Sequence, residues 1–314
     1  MPVHESLHAG IHAVDAAHMR DELASLYILQ QGDEVAIIDT GTQHSLKNVQ
    51  ATLNHLGIDN NQIKYVIPTH IHLDHAGGAG TLMQLFQQAR LIIHPRGARH
   101  MIDPSRLIEG SIAVYGETLF RQLYGEIKPI EKDRVDIAND LDRYYLGTRE
   151  LLFIDTPGHA RHHFCIYDEK SRGIFSGDTF GLAYPPLKHH ARGLIPTSSP
   201  VQFDPDALLN SIDRLLDYQP KWMYLTHYGA IDKPAERSVG LKQWILEYVN
   251  LCKRVEPCDA EREQLLENEM RKTIFTELRG DTSLDQELLA YLLNTDIKLN
   301  CQGLGIWWRS TSHD

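Results

Sequence analysis

The chain has 314 residues, 42% of them apolar and 23% charged, so it is too long for a disulfide-stapled miniprotein and long enough for one large domain or two modest ones. No apolar run approaches the ~20 residues that span a bilayer, which excludes an integral membrane protein of the helical kind. Thirty-one Lys and Arg against 42 Asp and Glu give a net charge of −11, which argues against nucleic acid as the main partner. What stands out is 18 His, since imidazole is both the commonest metal ligand and a frequent acid/base group.

In chain order, the amino end carries His4, His8, His12 and His18 on a segment expected to be irregular. They read as surface or pocket-rim histidines, with a metal-binding tract as the rival reading. The segment lacks a basic stretch followed by an apolar one, so no secretory signal is expected. Strands are predicted at Leu26 to Gln30, Val35 to Asp39, Tyr65 to Pro68, Leu91 to His94, Leu151 to Asp155, Phe164 to Tyr167, Gly173 to Ser176 and Met223 to Leu225. Several are nearly all apolar, as strands covered on both faces must be. Helices are predicted over Ser45 to Leu56 and after Asp204-Pro205, where Leu208, Ile212, Leu215 and Leu216 share a face and Asp204 supplies the cap.

Residues 95–128 read as a helical insertion between two strand groups. From Pro234 the pattern becomes helical again, with Leu241, Trp244, Ile245 and Tyr248 on one face and Leu265, Leu266, Met270, Ile274 and Leu278 in a later helix. The expected division is therefore a domain over 1–233 and a helical appendage over 234–314 packed on it. Cys165, Cys252, Cys258 and Cys301 form no CxxC pair, which suits a reducing, cytoplasmic compartment.

The chemistry concentrates in Val66-Ile67-Pro68-Thr69-His70-Ile71-His72-Leu73-Asp74-His75-Ala76-Gly77-Gly78. An apolar strand runs into three His and one Asp within six positions, and in extended backbone His70 and His72 project to one side. That density of ligand-type residues can serve two metals a few Å apart. Downstream, Asp155-Thr156-Pro157-Gly158-His159, Phe175-Ser176-Gly177-Asp178-Thr179 and Tyr224-Leu225-Thr226-His227 each put a His or Asp just past an apolar strand. Strand-end loops on a rigid scaffold are how distant residues are aimed at one point.

These motifs, in this order, resemble the HxHxDH signature and the later TPGH, GD and TH motifs of the metallo-β-lactamase superfamily over about residues 20 to 230. The resemblance implies an α+β fold, a four-layer αββα sandwich with a two-metal site at the sheet edges. It implies one metal on His70, His72 and His159, the other on Asp74, His75 and His227, and Asp178 between them. Asp178 is what the glyoxalase II-like, lactonase-like and phosphodiesterase-like branches carry and true β-lactamases lack. The flavodiiron branch typically has Glu where this chain has His72, so hydrolysis is expected over oxygen reduction.

All seven ligands are N or O donors, which suit two zinc ions and also iron or manganese. The expected reaction is attack by a metal-bridging hydroxide, oriented by Asp74, on an ester, thioester or lactone carbonyl. A phosphodiesterase, or a mononuclear iron dioxygenase acting on sulfur substrates, is the alternative. Tyr184, His189, His190 and Arg192, with Tyr228 after the last ligand, are candidates for the wall of a small-molecule pocket, against the reading of solvated loop and packing tyrosine. His162 and His163 either orient His159 or begin the next strand, while His94 and the Trp307-Trp308 pair read as structural. A homodimer through the C-terminal helices is also expected.

Overall fold

The computed structural model describes residues 3–199, 201–279 and 284–311. In chain order the elements are β1 His4–Ser6, β2 Ile11–Asp15, β3 Ser25–Gln31, β4 Glu34–Ile38, α1 Leu46–Leu56, β5 Ile63–Ile67, α2 Leu73–Ala76, α3 Ala79–Leu85, β6 Arg90–Ile93, α4 Pro95–Ile102, α5 Ser105–Tyr115 and α6 Glu117–Tyr124. There follow β7 Val135–Ile137, β8 Arg143–Leu146, β9 Arg149–Asp155, β10 Phe164–Asp168, β11 Gly173–Leu182, α7 Pro205–Leu216, β12 Trp222–His227, β13 Gly229–Asp232, α8 Pro234–Val255, α9 Ala260–Arg279 and α10 Gln286–Thr311. The chain divides into two compact units: Met1–Asp155, His162–Gly177 and Lys221–Asp232 make the first, and Thr156–Arg161, Asp178–Pro220 and Lys233–Asp314 the second.

One sheet has the order β1 to β7 and the other β13-β12-β11-β10-β9-β8, an α+β sandwich with a helical C-terminal extension. In the first unit the nearly all-apolar strands have the cause expected of them. Along β3 and β4, Leu26, Ile28, Val35 and Ile37 join Val49, Leu53, Leu82 and Met83 of α1 and α3 in one core. The alternate residues Tyr27, Leu29, Ala36 and Ile38 meet Leu151, Phe153, Phe164 and Phe175 of the other sheet in a second core. Each strand is thus covered on both faces, and full burial of one such Leu, Ile or Phe contributes about 1.5–3 kcal/mol.

The strands β4, β5, β6 and β7 pair in parallel, so the connections carrying α1, α3 and the insertion α4–α6 return across the sheet. Inside the antiparallel β9–β10 pair, Arg149 Nε and Nη2 clasp the carboxylate of Asp168 at 2.7 and 2.5 Å with both side chains fully buried. Arg149 Nη1 also donates to Ala9 O at 2.7 Å, tying the turn after β1 to β9.

The amino-terminal segment is not irregular as expected: it forms β1 and β2, a hairpin whose short, His- and Asp-bearing strands give little apolar periodicity to read. The same weakness hid β7, β8 and β13, and β11 runs six residues past Ser176 to Leu182. Between β6 and β7 the chain forms α4, α5 and α6.

In the second unit α8, α9 and α10 pack on one another and α7 on α8. Asp204 caps α7 by accepting from Ala207 N at 3.0 Å, and Leu241, Trp244, Ile245 and Tyr248 are the buried stripe of α8. The later helix is α9, whose buried face is Leu266, Met270, Ile274, Phe275 and Leu278, with Leu265 47% exposed on the same helix. The unit holding the C-terminal helices also takes in residues 156–161 and 178–220, so its content differs from an appendage starting at 234.

Candidate metal centre

In the first unit the organising residue is Asp39, which directly follows β4. Its backbone is left-handed (φ 57°), a conformation Asp tolerates better than most residues, and its side chain turns back among the strand ends. Oδ1 accepts from Thr69 N at 2.8 Å and Thr69 Oγ1 at 2.9 Å; Oδ2 accepts from Thr226 Oγ1 at 2.6 Å and His75 Nδ1 at 3.1 Å. One carboxylate thereby fixes the segment after β5, the end of β12 and the ring of His75.

His75 and Asp74 sit on the short helix α2, for which His72 is the N-terminal flanking residue in extended conformation. The helix is held from behind: Thr40 N and Oγ1 both donate to His75 O at 2.7 Å. Gly78 lets this approach happen, because a Cβ there would stand 2.6 Å from Thr40 O and 2.8 Å from Thr42 O.

Asp74, His75 and His227 offer ligand atoms that all lie within 4.8 Å of one another. His75 Nε2 and His227 Nε2 face Asp74 Oδ2 at 3.6 and 3.5 Å. His227 Nδ1 meets Leu23 O at 2.8 Å, and a carbonyl only accepts, so Nδ1 carries the proton. The same holds for His75, whose Nδ1 faces the Asp39 carboxylate. With Nδ1 committed, each ring turns Nε2 towards the Asp74 carboxylate, an arrangement that a cation would stabilise and that fits a metal on N and O donors.

His70 Nε2 and His72 Nδ1 lie 2.9 Å apart, so these two rings converge as their spacing predicts. His162 and His163 are buried behind them: the His163 ring is 4.9 Å from that of His70, and His162 stacks on His70 at 6.1 Å and 12° while its Nδ1 accepts from Ile71 N at 3.5 Å. They back His70 in addition to preceding β10.

In the second unit His159 repeats the pattern. Its buried Nδ1 donates to Thr197 O at 3.2 Å and lies 3.0 Å from Thr197 Oγ1, which itself donates to Asp178 O at 3.1 Å. A proton on Nδ1 is therefore fixed twice over, and Nε2 faces Asp178 Oδ2 at 3.4 Å. Gly158 (φ 135°) makes the turn, and a Cβ on it would stand 2.3 Å from the backbone of Leu208 in α7.

The candidate pocket residues have other engagements. Tyr184 is buried with its hydroxyl on both carboxylate oxygens of Asp296 at 3.1 Å. The Arg192 guanidinium lies 3.8 Å over the Trp244 ring and pairs with Glu247 at 3.0 Å and Glu277 at 3.7 Å. His190 Nδ1 accepts from Arg192 N at 3.0 Å, and His189 is exposed. Tyr228 is half-buried, and burial followed by the charges of Asp15 and Glu22 holds its hydroxyl above the usual phenol range.

His94 caps α4 and contacts Asp155 at 2.9 Å, a structural role. Of the amino-terminal histidines, His4 lies against His55, His8 against Trp222, His12 meets Ser6 Oγ at 2.9 Å, and His18 stacks on Tyr124 at 5.7 Å. None of these four belongs to a ligand group among the described residues. His18 is buried, and desolvation lowers its pKa below the usual 6.5.

Sequence reading missed Asp39, Thr197 and the Leu23 carbonyl. For Asp39 the signal was there, a carboxylate ending an apolar strand as at Asp155; a backbone carbonyl or a loop threonine leaves none.

The family model of the metallo-beta-lactamase superfamily matches residues 19–227. The metallo-beta-lactamase fold-containing protein ST1585 of Sulfurisphaera tokodaii is 26% identical over 241 residues, 75% of this chain and 84% of that protein. The crystal structure of ST1585, from Sulfolobus tokodaii, has a TM-score of 0.67 at 22% identity, covering 94% of this chain and 98% of that one. The acyl-coenzyme A thioesterase MBLAC2 of Homo sapiens is 24% identical over 191 residues, 56% of this chain and 65% of its own length.

Proposed function

The chain belongs to the metallo-β-lactamase superfamily as a metal-dependent hydrolase, and from that premise we propose that it cleaves an acyl thioester or related ester in a site for two divalent ions. The observation that carries the reading is the set of three imidazoles, His75, His227 and His159, each with Nδ1 tied to a fixed oxygen and Nε2 presented to a carboxylate. In this proposal His70, His72 and His159 would hold one ion and Asp74, His75 and His227 the other, with Asp178 between them, as the resemblance to the family implies. Bound divalent ions lower the pKa of water towards neutrality and polarise a carbonyl oxygen. Asp74, 27% exposed at its side chain, accepts the proton of the attacking water and holds its direction. Asp39, Leu23 O and Thr197 keep the rings in the tautomer that leaves Nε2 bare, so no reorganisation is needed when the ions arrive.

Support for a thioester comes from the similarity to the acyl-coenzyme A thioesterase MBLAC2. Arg192 is no cation held ready for a phosphodiester, because it stacks on Trp244 and pairs with Glu247 and Glu277. The donor set suits zinc, with iron and manganese as rivals. Three buried free cysteines and one exposed one fit a cytoplasmic setting. No described helix is long and apolar enough to cross a membrane.

The test is elemental analysis of the purified protein followed by thioesters, esters, lactones and phosphodiesters supplied to the metal-loaded form. Two metals per chain and preference for thioesters are expected. One iron per chain with oxygen consumption would replace this reading by the dioxygenase.

A further inference from the structure

Asn300 belongs to the buried face of α10 and is only 3% exposed. A buried amide must satisfy both its oxygen and its nitrogen, and here both go to one loop. Oδ1 accepts from Ser198 N at 2.7 Å, Nδ2 donates to Pro196 O at 3.0 Å, and Asn300 O accepts from Ser198 Oγ at 3.1 Å. The residue between the two clamped positions is Thr197, which fixes the Nδ1 proton of His159 through its carbonyl and its hydroxyl.

The close approach is built into the helix. At Gly303, one turn beyond Asn300, a Cβ would stand 1.5 Å from Ser198 O, so only glycine lets α10 lie against this loop. All these groups belong to the second unit.

We propose that Asn300 is a positioning residue for the metal centre: by gripping Pro196 and Ser198 it holds Thr197 where it fixes the tautomer and direction of His159. The C-terminal helix then works in the site and is not mere cover. The inference rests on the reading of His159 as a metal ligand. Loss of an outer-shell partner of a ligating His weakens metal binding about 10–100-fold. A contact that only holds the helix in place would lower stability and leave affinity alone.

The test uses the full chain with four variants, Asn300→Ala, Thr197→Val, His159→Ala and, as a stability control in the same helix, Leu293→Ala, whose side chain is buried. Zinc affinity is read by competition with a chromophoric chelator, and the His159 tautomer by nitrogen-15 spectra of metal-free, histidine-labelled protein. Asn300→Ala should weaken the affected zinc site by at least about tenfold and mix the His159 tautomers, with Leu293→Ala within about threefold of the parent. Because Asn300 acts through Thr197, a fifth protein combining Asn300→Ala with Thr197→Val should be no worse than the poorer of those two single variants. Should Asn300→Ala fail to fold, Asn300→Asp carries the same comparison, since it keeps an acceptor for Ser198 N and loses the donor to Pro196 O. Parental zinc affinity and an unmixed tautomer in the folded Asn300 variant, or additive losses with Thr197→Val, overturn the inference. Undiminished zinc binding by His159→Ala instead removes the ligand reading beneath it.

Discussion

Replacing Asp39 by asparagine keeps shape and removes one acceptor. The four donors around this carboxylate are Thr69 N, Thr69 Oγ1, Thr226 Oγ1 and His75 Nδ1, with the Asp39 side chain 2% exposed. The two hydroxyls can rotate to accept from an amide; the backbone N–H and the imidazole N–H cannot. If the new NH2 takes the Oδ1 position it opposes Thr69 N, and that buried donor goes unsatisfied at about 1–3 kcal/mol. If it takes the Oδ2 position, His75 must move its proton to Nε2, which removes the lone pair facing Asp74. The second arrangement trades that cost for metal affinity, about 10–100-fold or about 1.4–2.7 kcal/mol. The Asp39→Asn protein should therefore show one loss or the other: a urea stability of the metal-free form lower by about 1–3 kcal/mol, or zinc binding weaker by at least about tenfold. Both are measured on the same preparation, by denaturation and by chelator competition. A variant with parental stability and zinc affinity within about threefold of the parent would refute the hub role assigned to Asp39.

Asp168→Ala strands the Arg149 guanidinium in a fully buried position and should cost about 3–5 kcal/mol in urea denaturation; a loss under about 1 kcal/mol would mean the pair is relaxed by water. Of the four thiols only Cys258 is exposed, while burial pushes Cys252 up to about 12, so a thiol reagent should titrate one cysteine per native chain and four after denaturation. Rapid modification of two or more in the native protein would contradict the burial. Burial lowers the pKa of His12 and of His18 below the usual 6.5, so the unfolded chain binds protons that the folded one refuses. Stability should accordingly be full above pH 6.5 and fall as the pH drops through that value, and the fall should shrink in His12→Asn with His18→Phe. An identical fall in the double variant would assign the acid sensitivity to other groups.

The candidate ligands were legible because they obey a local rule. Apolar strands covered on both faces can only be read as buried, and a His or Asp placed just after one has to stand at a sheet edge. That rule picked out His70, His72, Asp74, His75, His159, Asp178 and His227 and located β3 to β6 within two residues at either end. It failed where strands are short and polar, as in β1, β2, β8 and β13, since pairing with a neighbour, not periodicity, makes them strands.

What the tertiary structure alone decided is which nitrogen each ring has to offer. Sequence names an imidazole but not its tautomer, because the tautomer follows from the atom opposite Nδ1, and those atoms come from far along the chain: Asp39 for His75, Leu23 O for His227, Thr197 for His159. The same distance in sequence hid the contacts of Arg192 with Trp244 and Glu247 and of Tyr184 with Asp296, all residues of the C-terminal helices. The candidate ligands follow strand-end order; the direction of each ring depends on hydrogen bonds between residues that only folding brings together.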